Sequence, residues 1–307
     1  MRNKLVVKGH VLACLTVLLW GTTFISTKVL LGTMTPLEIL CIRFMIGYLA
    51  LWIVCPKFIR VIDRKHELYF VGAGLCGVTL YFLMENIALT YTQASNVGII
   101  VAVSPFFTVL AGILFLKQKF PGKLFLVGFV LAMAGIALIS FEGSQTLQLN
   151  PKGDILALGA AIVWALYSTI TKKITTFGYD TIPMTRRIFF YGLIFMIPVL
   201  LVHGIDLLDP VKYTIVNIAN ILFLGVGASA MCFVTWNHAV QILGTVKTSV
   251  YIYMVPVVTT VASMLVLKEQ VTLFGCIGIT MILCGLMLSL KREERKEHEI
   301  CEMCNGN

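Results

Sequence analysis

The sequence predicts an all-α membrane protein: ten transmembrane helices as two five-helix repeats of inverted topology. Three observations carry this expectation. The 307 residues are 58% hydrophobic and only 13% charged, against about 45–50% and about 25% in an ordinary soluble domain. Apolar runs of about 20 residues, enough at about 1.5 Å of rise per residue to cross a hydrocarbon layer of about 30 Å, recur along the chain. The second half also repeats the outline of the first.

Taken in order, the spans fall roughly at 10–31, 37–55, 68–89, 95–116 and 123–141, then at 154–172, 184–203, 216–239, 247–267 and 271–290. The first reads as a helix and not a cleaved leader, because its apolar run is of span length and flows into FISTKVLL. The second carries Arg43 and the third Glu85 and Asn86, while the fourth and ninth have Pro105 and Pro256 near their midpoints. The fourth, VGIIVAVSPFFTVLAGILFL, is apolar on every face, which excludes the alternating strands of a barrel. The fifth and tenth carry glycines seven apart, Gly128/Gly135 and Gly278/Gly285, suited to close helix approach. The expected division is a first repeat over 1–142, an external linker over 143–153, a second repeat over 154–290 and a polar tail over 291–307, with no room for a soluble catalytic domain.

Orientation follows from the basic residues of alternate loops. One set holds Arg2, Lys4 and Lys8, Lys57 to Lys65, Lys117 to Lys123, Lys172 and Lys173, Lys247, and the cluster from Lys291 to Lys296; the other holds Lys152, Lys212 and Lys268. Both termini are therefore expected in the cytoplasm, with the chain in the cell (inner or plasma) membrane. The formal charge of +9 then reflects topology and contact with anionic membrane lipids, and no nucleic-acid partner is expected. The nine cysteines are mostly scattered singly in apolar spans, where they pack. His298, Cys301 and Cys304 could collect a soft metal but lack a fourth ligand, so neither metal nor cofactor is expected.

WGTTFISTK at 20–28 returns as WALYSTITK at 164–172. At this offset Trp20, Thr23, Thr27 and Arg43 align with Trp164, Tyr167, Thr171 and Arg187; further on, Asn86 aligns with Asn237 and Pro105 with Pro256. A unit of five spans is odd, so its second copy enters the bilayer from the opposite side. Two such halves can rock about a central site and open it alternately to either face, which reads as a secondary transporter.

WGTTF in the first span, Arg43 in the second, SPFF and VPVV in the fourth and ninth, and LVLKEQVT before a glycine-bearing last span together resemble the EamA type of the drug/metabolite transporter superfamily, over about residues 10–290. The resemblance implies a central cavity and export of small metabolites, often amino acids or related compounds. The acidic residue similar proteins carry after the fourth span, as Glu269 follows the ninth, is Gln118 here.

The candidate substrate-binding residues are Trp20, Thr23, Thr27, Arg43, Asn86, Trp164, Tyr167 and Asn237. Arg43 is the sharpest, since a charge at the bilayer centre costs on the order of 3 kcal/mol or more. It could hold a carboxylate or phosphate, or pair structurally with Glu85 or Glu38. Glu85 is a candidate proton site or an interfacial residue reaching water. The hydroxyl faces of the first and sixth spans could meet substrate or bond to neighbouring helices. Pro105 and Pro256 break helices either at the cavity or as packing kinks.

Enzymatic constellations are missing: there is no HExxH and no GxxxxGK[ST], and Ser229 in GASA is nine residues from His238, about 13 Å of helical rise. The expectation is a secondary exporter of a small molecule, with protons as a possible coupling ion and oligomeric state open. The alternative is a non-transporting receptor or assembly protein on a transporter-like scaffold.

Overall fold

A computed structural model describes residues 2–91, 94–143, 150–204, 209–267 and 273–305. Glu269, most of the linker after Gly143, and the side chains of His298, Cys301 and Cys304 lie outside the described residues. The described chain is helical in ten successive segments, with a further short 3₁₀ turn at Pro210–Tyr213 ahead of the eighth. These are α1 (Arg2–Leu30), α2 (Pro36–Val54), α3 (Arg64–Tyr91), α4 in two pieces (Ala94–Val101 and Ser104–Leu116) and α5 (Lys123–Gly143). They continue with α6 (Pro151–Thr175), α7 (Thr181–His203), α8 (Ile215–Leu243), α9 (a turn at Thr245–Ser249, 3₁₀ at Val250–Tyr253, then Met254–Leu267) and α10 (Leu273–Asn305). Among the described residues, seven helices are long and apolar enough to cross a membrane, and this is a multi-pass membrane protein. α10 continues through the segment expected as a polar tail, whose Lys, Arg and Glu are strong helix formers.

Local chemistry sets the helix ends. The Thr35 hydroxyl accepts from the Glu38 amide and the Glu38 carboxylate from the Thr35 amide, a capping box that starts α2 at Pro36. Asn150 caps α6 just before Pro151, and Thr214 caps α8. α8 gives way to α9 through the single residue Gly244 at φ 87°, a conformation costly for any residue with a Cβ.

The principal packing runs between the two halves. α1 lies on α8 and α9, as α6 lies on α3 and α4; α2 packs on α7 and α8, as α7 packs on α2 and α3; α5 packs on α10. Exchanging the halves maps this set of pairs onto itself. The largest core cluster accordingly mixes Phe44 and Phe82 from the first half with Trp164, Phe189, Phe233 and Trp236 from the second. Large apolar side chains such as Leu114, Ile155, Leu201 and Met287 are exposed, as an outer surface facing lipid requires.

The matched glycines act at the closest crossings. A Cβ on Gly285 would sit 2.5 Å from the Gly128 carbonyl oxygen and 2.7 Å from the Ala132 amide nitrogen, backbone atoms that cannot step aside. Gly74 does the same on α7 and Gly225 would meet the Ile46 side chain of α2 at 2.6 Å, whereas Gly72 and Gly227 have only ordinary contacts at 3.4 Å.

Two features were not anticipated. α3 and α8 each contain a stretch of π-helix, Leu75–Leu80 and Phe223–Met231, at repeat-related positions. Pro105 and Pro256 do not kink continuous helices: α4 is interrupted at 102–103 and Pro105 lies in the first turn of its second piece, where a missing amide costs nothing. Pro256 is likewise the third residue of the α-helical part of α9, after its 3₁₀ turn.

Gly285→Ala should destabilise the protein by about 1–3 kcal/mol through overpacking, while Gly227→Ala should stay close to the parent. Thermal unfolding of the two variants in detergent checks this.

Candidate functional site

The described residues enclose a central cavity where the broken helices meet the tryptophan-bearing ones. Its walls come from α1 (Trp20, Thr23), α2 (Arg43), α3 (Tyr81, Phe82, Glu85), the break in α4 (Val101, Ala102), α6 (Trp164) and α9 (Ile252, Val255, Pro256). Backbone groups freed by interrupted helices are tolerated at membrane depth only when buried in protein or beside a cavity, which is where these lie.

Arg43 is 3% exposed. Its Nε donates to Ser229 Oγ at 3.0 Å, and its Cζ lies 4.5 Å from the centroid of Phe82 and 5.4 Å from that of Phe44. One hydrogen bond and two ring faces thus support the guanidinium. Glu85, at 8% exposure, lines the same cavity and accepts from the Tyr81 hydroxyl at 3.0 Å. Arg43 and Glu85 form no ion pair with each other; among the described residues the ion pairs are Arg187–Glu67 at 2.7 Å and Lys212–Glu38 at 2.8 Å. Of the two structural partners open to Arg43, Glu38 is committed elsewhere and Glu85 stands in the same cavity without closing on it.

The α8 π-segment supplies two supports at once. Ser229 accepts from Arg43, and the carbonyl of Ala228 accepts from Trp20 Nε1 at 3.1 Å. The Trp20 ring meets that of Trp164 edge-on at 5.2 Å and lies 5.0 Å from Trp236, so three of the chain's four tryptophans form one cluster.

The predicted site residues divide. Trp20, Thr23, Arg43, Glu85, Trp164 and Pro256 line the cavity. Thr27, Asn86, Tyr167 and Asn237 are buried but do not; Asn86 Nδ2 donates to the Pro36 carbonyl at 3.3 Å, the Tyr167 hydroxyl to Asn237 Oδ1 at 2.7 Å, and Asn237 Nδ2 to Thr185 at 3.0 Å. Pro105 sits beside the α4 break without lining the cavity. Sequence reasoning missed Tyr81, Phe82 and Ser229. Tyr81 could have been found four residues before Glu85, on the same helix face. Ser229 was weighed only as a nucleophile, although its use is to hold Arg43.

A membrane bundle whose buried cavity holds a cation, a carboxyl group and broken helices defines the class of membrane transporters. The EamA-like transporter family profile matches residues 7–141 and again 151–291, and the chain belongs to that family. An uncharacterized transporter of Archaeoglobus fulgidus is 28% identical over 94% of this chain and 99% of its own. A probable terminal-alkyne amino-acid exporter of Streptantibioticus cattleyicolor is 26% identical over 93% of this chain and 94% of its own, and a probable amino-acid metabolite efflux pump of Escherichia coli is 25% identical over 92% and 95%. These relatives are named as transporters, and the protein is not an enzyme. One solved structure shares the fold at a TM-score of 0.76 and 17% identity, covering 97% of this chain and all of that one.

Ser229→Ala leaves the Arg43 Nε–H buried without its acceptor and should cost about 1–3 kcal/mol, whereas Ser229→Thr, which keeps a hydroxyl, should cost less. Denaturation of both variants in the same detergent measures the difference.

Proposed function

We propose that the protein is a secondary exporter of small amino-acid-like metabolites, coupled to protons and working by alternating access between inverted repeats, 1–142 and 154–290. The observation that carries this reading is one cavity holding Arg43, which makes no ion pair among the described residues, together with Glu85, both nearly inaccessible to solvent. Each charge is expensive at membrane depth, and retaining two that do not neutralise each other at contact distance is explained by a solute and an ion that visit them. In this reading Arg43 holds the solute's carboxylate, and Glu85, steadied by Tyr81, takes up and releases the proton.

The packing supports a twofold relation between the halves, because exchanging them maps the interhelical pairs onto themselves, and with five spans in each half that relation is an inversion. In the cell membrane, with both termini cytoplasmic, the Lys212–Glu38 pair ties the approach to α8 to the start of α2 at the external face. Arg187–Glu67, joined by a hydrogen bond from Tyr191 to Glu67, ties α7 to the start of α3 at the cytoplasmic face. Opening toward either side then requires parting one pair while keeping the other. The amino-acid reading draws on the printed names of the Streptantibioticus and Escherichia relatives.

The test is flux into proteoliposomes, with labelled amino acids, nucleobases and cationic drugs screened with and without a proton gradient. Gradient-accelerated flux of an amino acid is expected; stoichiometric binding without turnover would overturn the reading. Arg43→Ala should abolish flux of an anionic or zwitterionic solute, and Glu85→Gln should remove the acceleration by the gradient while exchange of labelled for unlabelled solute persists. Single cysteines at the exposed, repeat-related loop positions Phe58 and Val211 should label from the cytoplasmic and external sides respectively, and labelling of both from one side would refute the inversion.

A further inference from the structure

The repeat-related tryptophans Trp20 and Trp164 both line the cavity, yet their indole N–H groups are used differently. Trp20 Nε1 donates to the Ala228 carbonyl in the α8 π-segment at 3.1 Å. By the repeat, the matching carbonyl for Trp164 is that of Gly77 in the α3 π-segment. That approach is taken: the Tyr167 ring packs onto Gly77 so closely that a Cβ there would sit 2.1 Å from it. Tyr167 is the repeat counterpart of Thr23, whose small side chain folds back to donate to the Trp20 carbonyl at 2.7 Å and leaves Trp20 free to reach α8. Among the described residues Trp164 Nε1 is a buried donor without an acceptor, on a side chain only 3% exposed.

Indole can only donate, and an orphaned buried donor calls for an explanation. Trp236 Nε1 is also without an acceptor, but Trp236 does not line the cavity. Trp164 does, as does Arg43, whose Nε is spent on Ser229 and whose terminal nitrogens make no hydrogen bond among the described residues. Unused donors thus stand on two helices of the cavity wall: the terminal nitrogens of Arg43 on α2 and, beneath the wall's surface, the Trp164 N–H on α6. Its remaining walls near the α4 and α9 breaks are the apolar Phe24, Val101, Ile252 and Val255.

We infer that the Trp164 indole N–H is a specificity-determining donor, which with Arg43 receives the carboxylate of a neutral, apolar α-amino acid, while the Trp20 indole N–H is structural. This rests on the transport reading above. The partition comes from the exchange of Thr23 for Tyr167 between the repeats, which blocks one tryptophan from the backbone and leaves its N–H for the solute.

The experiment replaces each tryptophan in turn by 3-benzothienylalanine, which keeps the ring and exchanges N–H for sulfur, and follows labelled L-leucine flux in proteoliposomes. At position 164 the half-saturating leucine concentration should rise about tenfold or more, the loss of one hydrogen bond to a charged acceptor, with the maximal rate unchanged. At position 20 thermal stability should fall, because the Ala228 carbonyl loses its donor; at position 236, whose indole N–H also lacks an acceptor but whose ring does not line the cavity, half-saturation should hold. Isopentylamine, which lacks the carboxylate, should compete with leucine equally weakly in the parent and in the position-164 variant. Leucine flux with unaltered half-saturation at position 164 would overturn the inference and leave the transport reading intact. A parent protein that moves other amino acids but not leucine would overturn it as well. Failure to move any solute would overturn both readings.

Discussion

Hydrocarbon offers no hydrogen bonds, and that constraint organises this molecule. Every departure from regular helix must turn inward, where protein can answer the polar groups it exposes. The break in α4, the 3₁₀ turn in α9 and the π-segments of α3 and α8 all obey it, and between them they surround the cavity or support the residues that line it. Arg43 obeys it too, with Ser229 and two phenylalanine rings in place of water. The outer surface carries leucine, isoleucine and valine together with phenylalanine and methionine.

The same constraint explains why the halves are interlocked and not merely side by side. Helices gain little from excluding lipid, so they associate where backbones approach closely and shape fits. Gly128 against Gly285, Gly74 against α7 and Gly225 against α2 provide such approaches, and each joins one half to the other. Neither half could bury its own small-residue faces alone. Equivalence nevertheless stops at the cavity: Glu85 on α3 corresponds to Trp236 on α8, and Arg187 is engaged by Glu67 where Arg43 makes no ion pair among the described residues. The scaffold is twofold and the chemistry is not.

Much of this was legible in the sequence. Span positions follow from uninterrupted apolar runs, and duplication from the return of Trp20–Lys28 at Trp164–Lys172. Arg43 and Glu85 were visible because charge in hydrocarbon demands a reason. What stayed hidden was helix rotation. A span apolar on every face carries no phase that says which side looks inward, so Thr23 and Tyr167, identical in register, diverge into cavity wall and packing. The prolines gave the places of the breaks but not their form, since a residue without an amide suits the first turn of a new helix as well as a kink. The π-segments left no signal beyond nearby glycines.

Those π-segments have a consequence for how the cavity can vary. A π-turn accommodates one residue more than an α-turn, and a residue added to or removed from an α-helix rotates everything beyond it by about 100°. Tyr81, Phe82 and Glu85 all follow Leu75–Leu80, so their shared inward bearing is set by that one wide turn. It acts as a vernier between the part of α3 that packs on α7 and the part that faces the cavity. Losing a single residue there would swing the carboxylate toward a neighbouring helix while leaving length, hydropathy and membrane crossing almost untouched. A one-residue gap in α3 or α8 is thus a route to a different cavity on an unchanged scaffold.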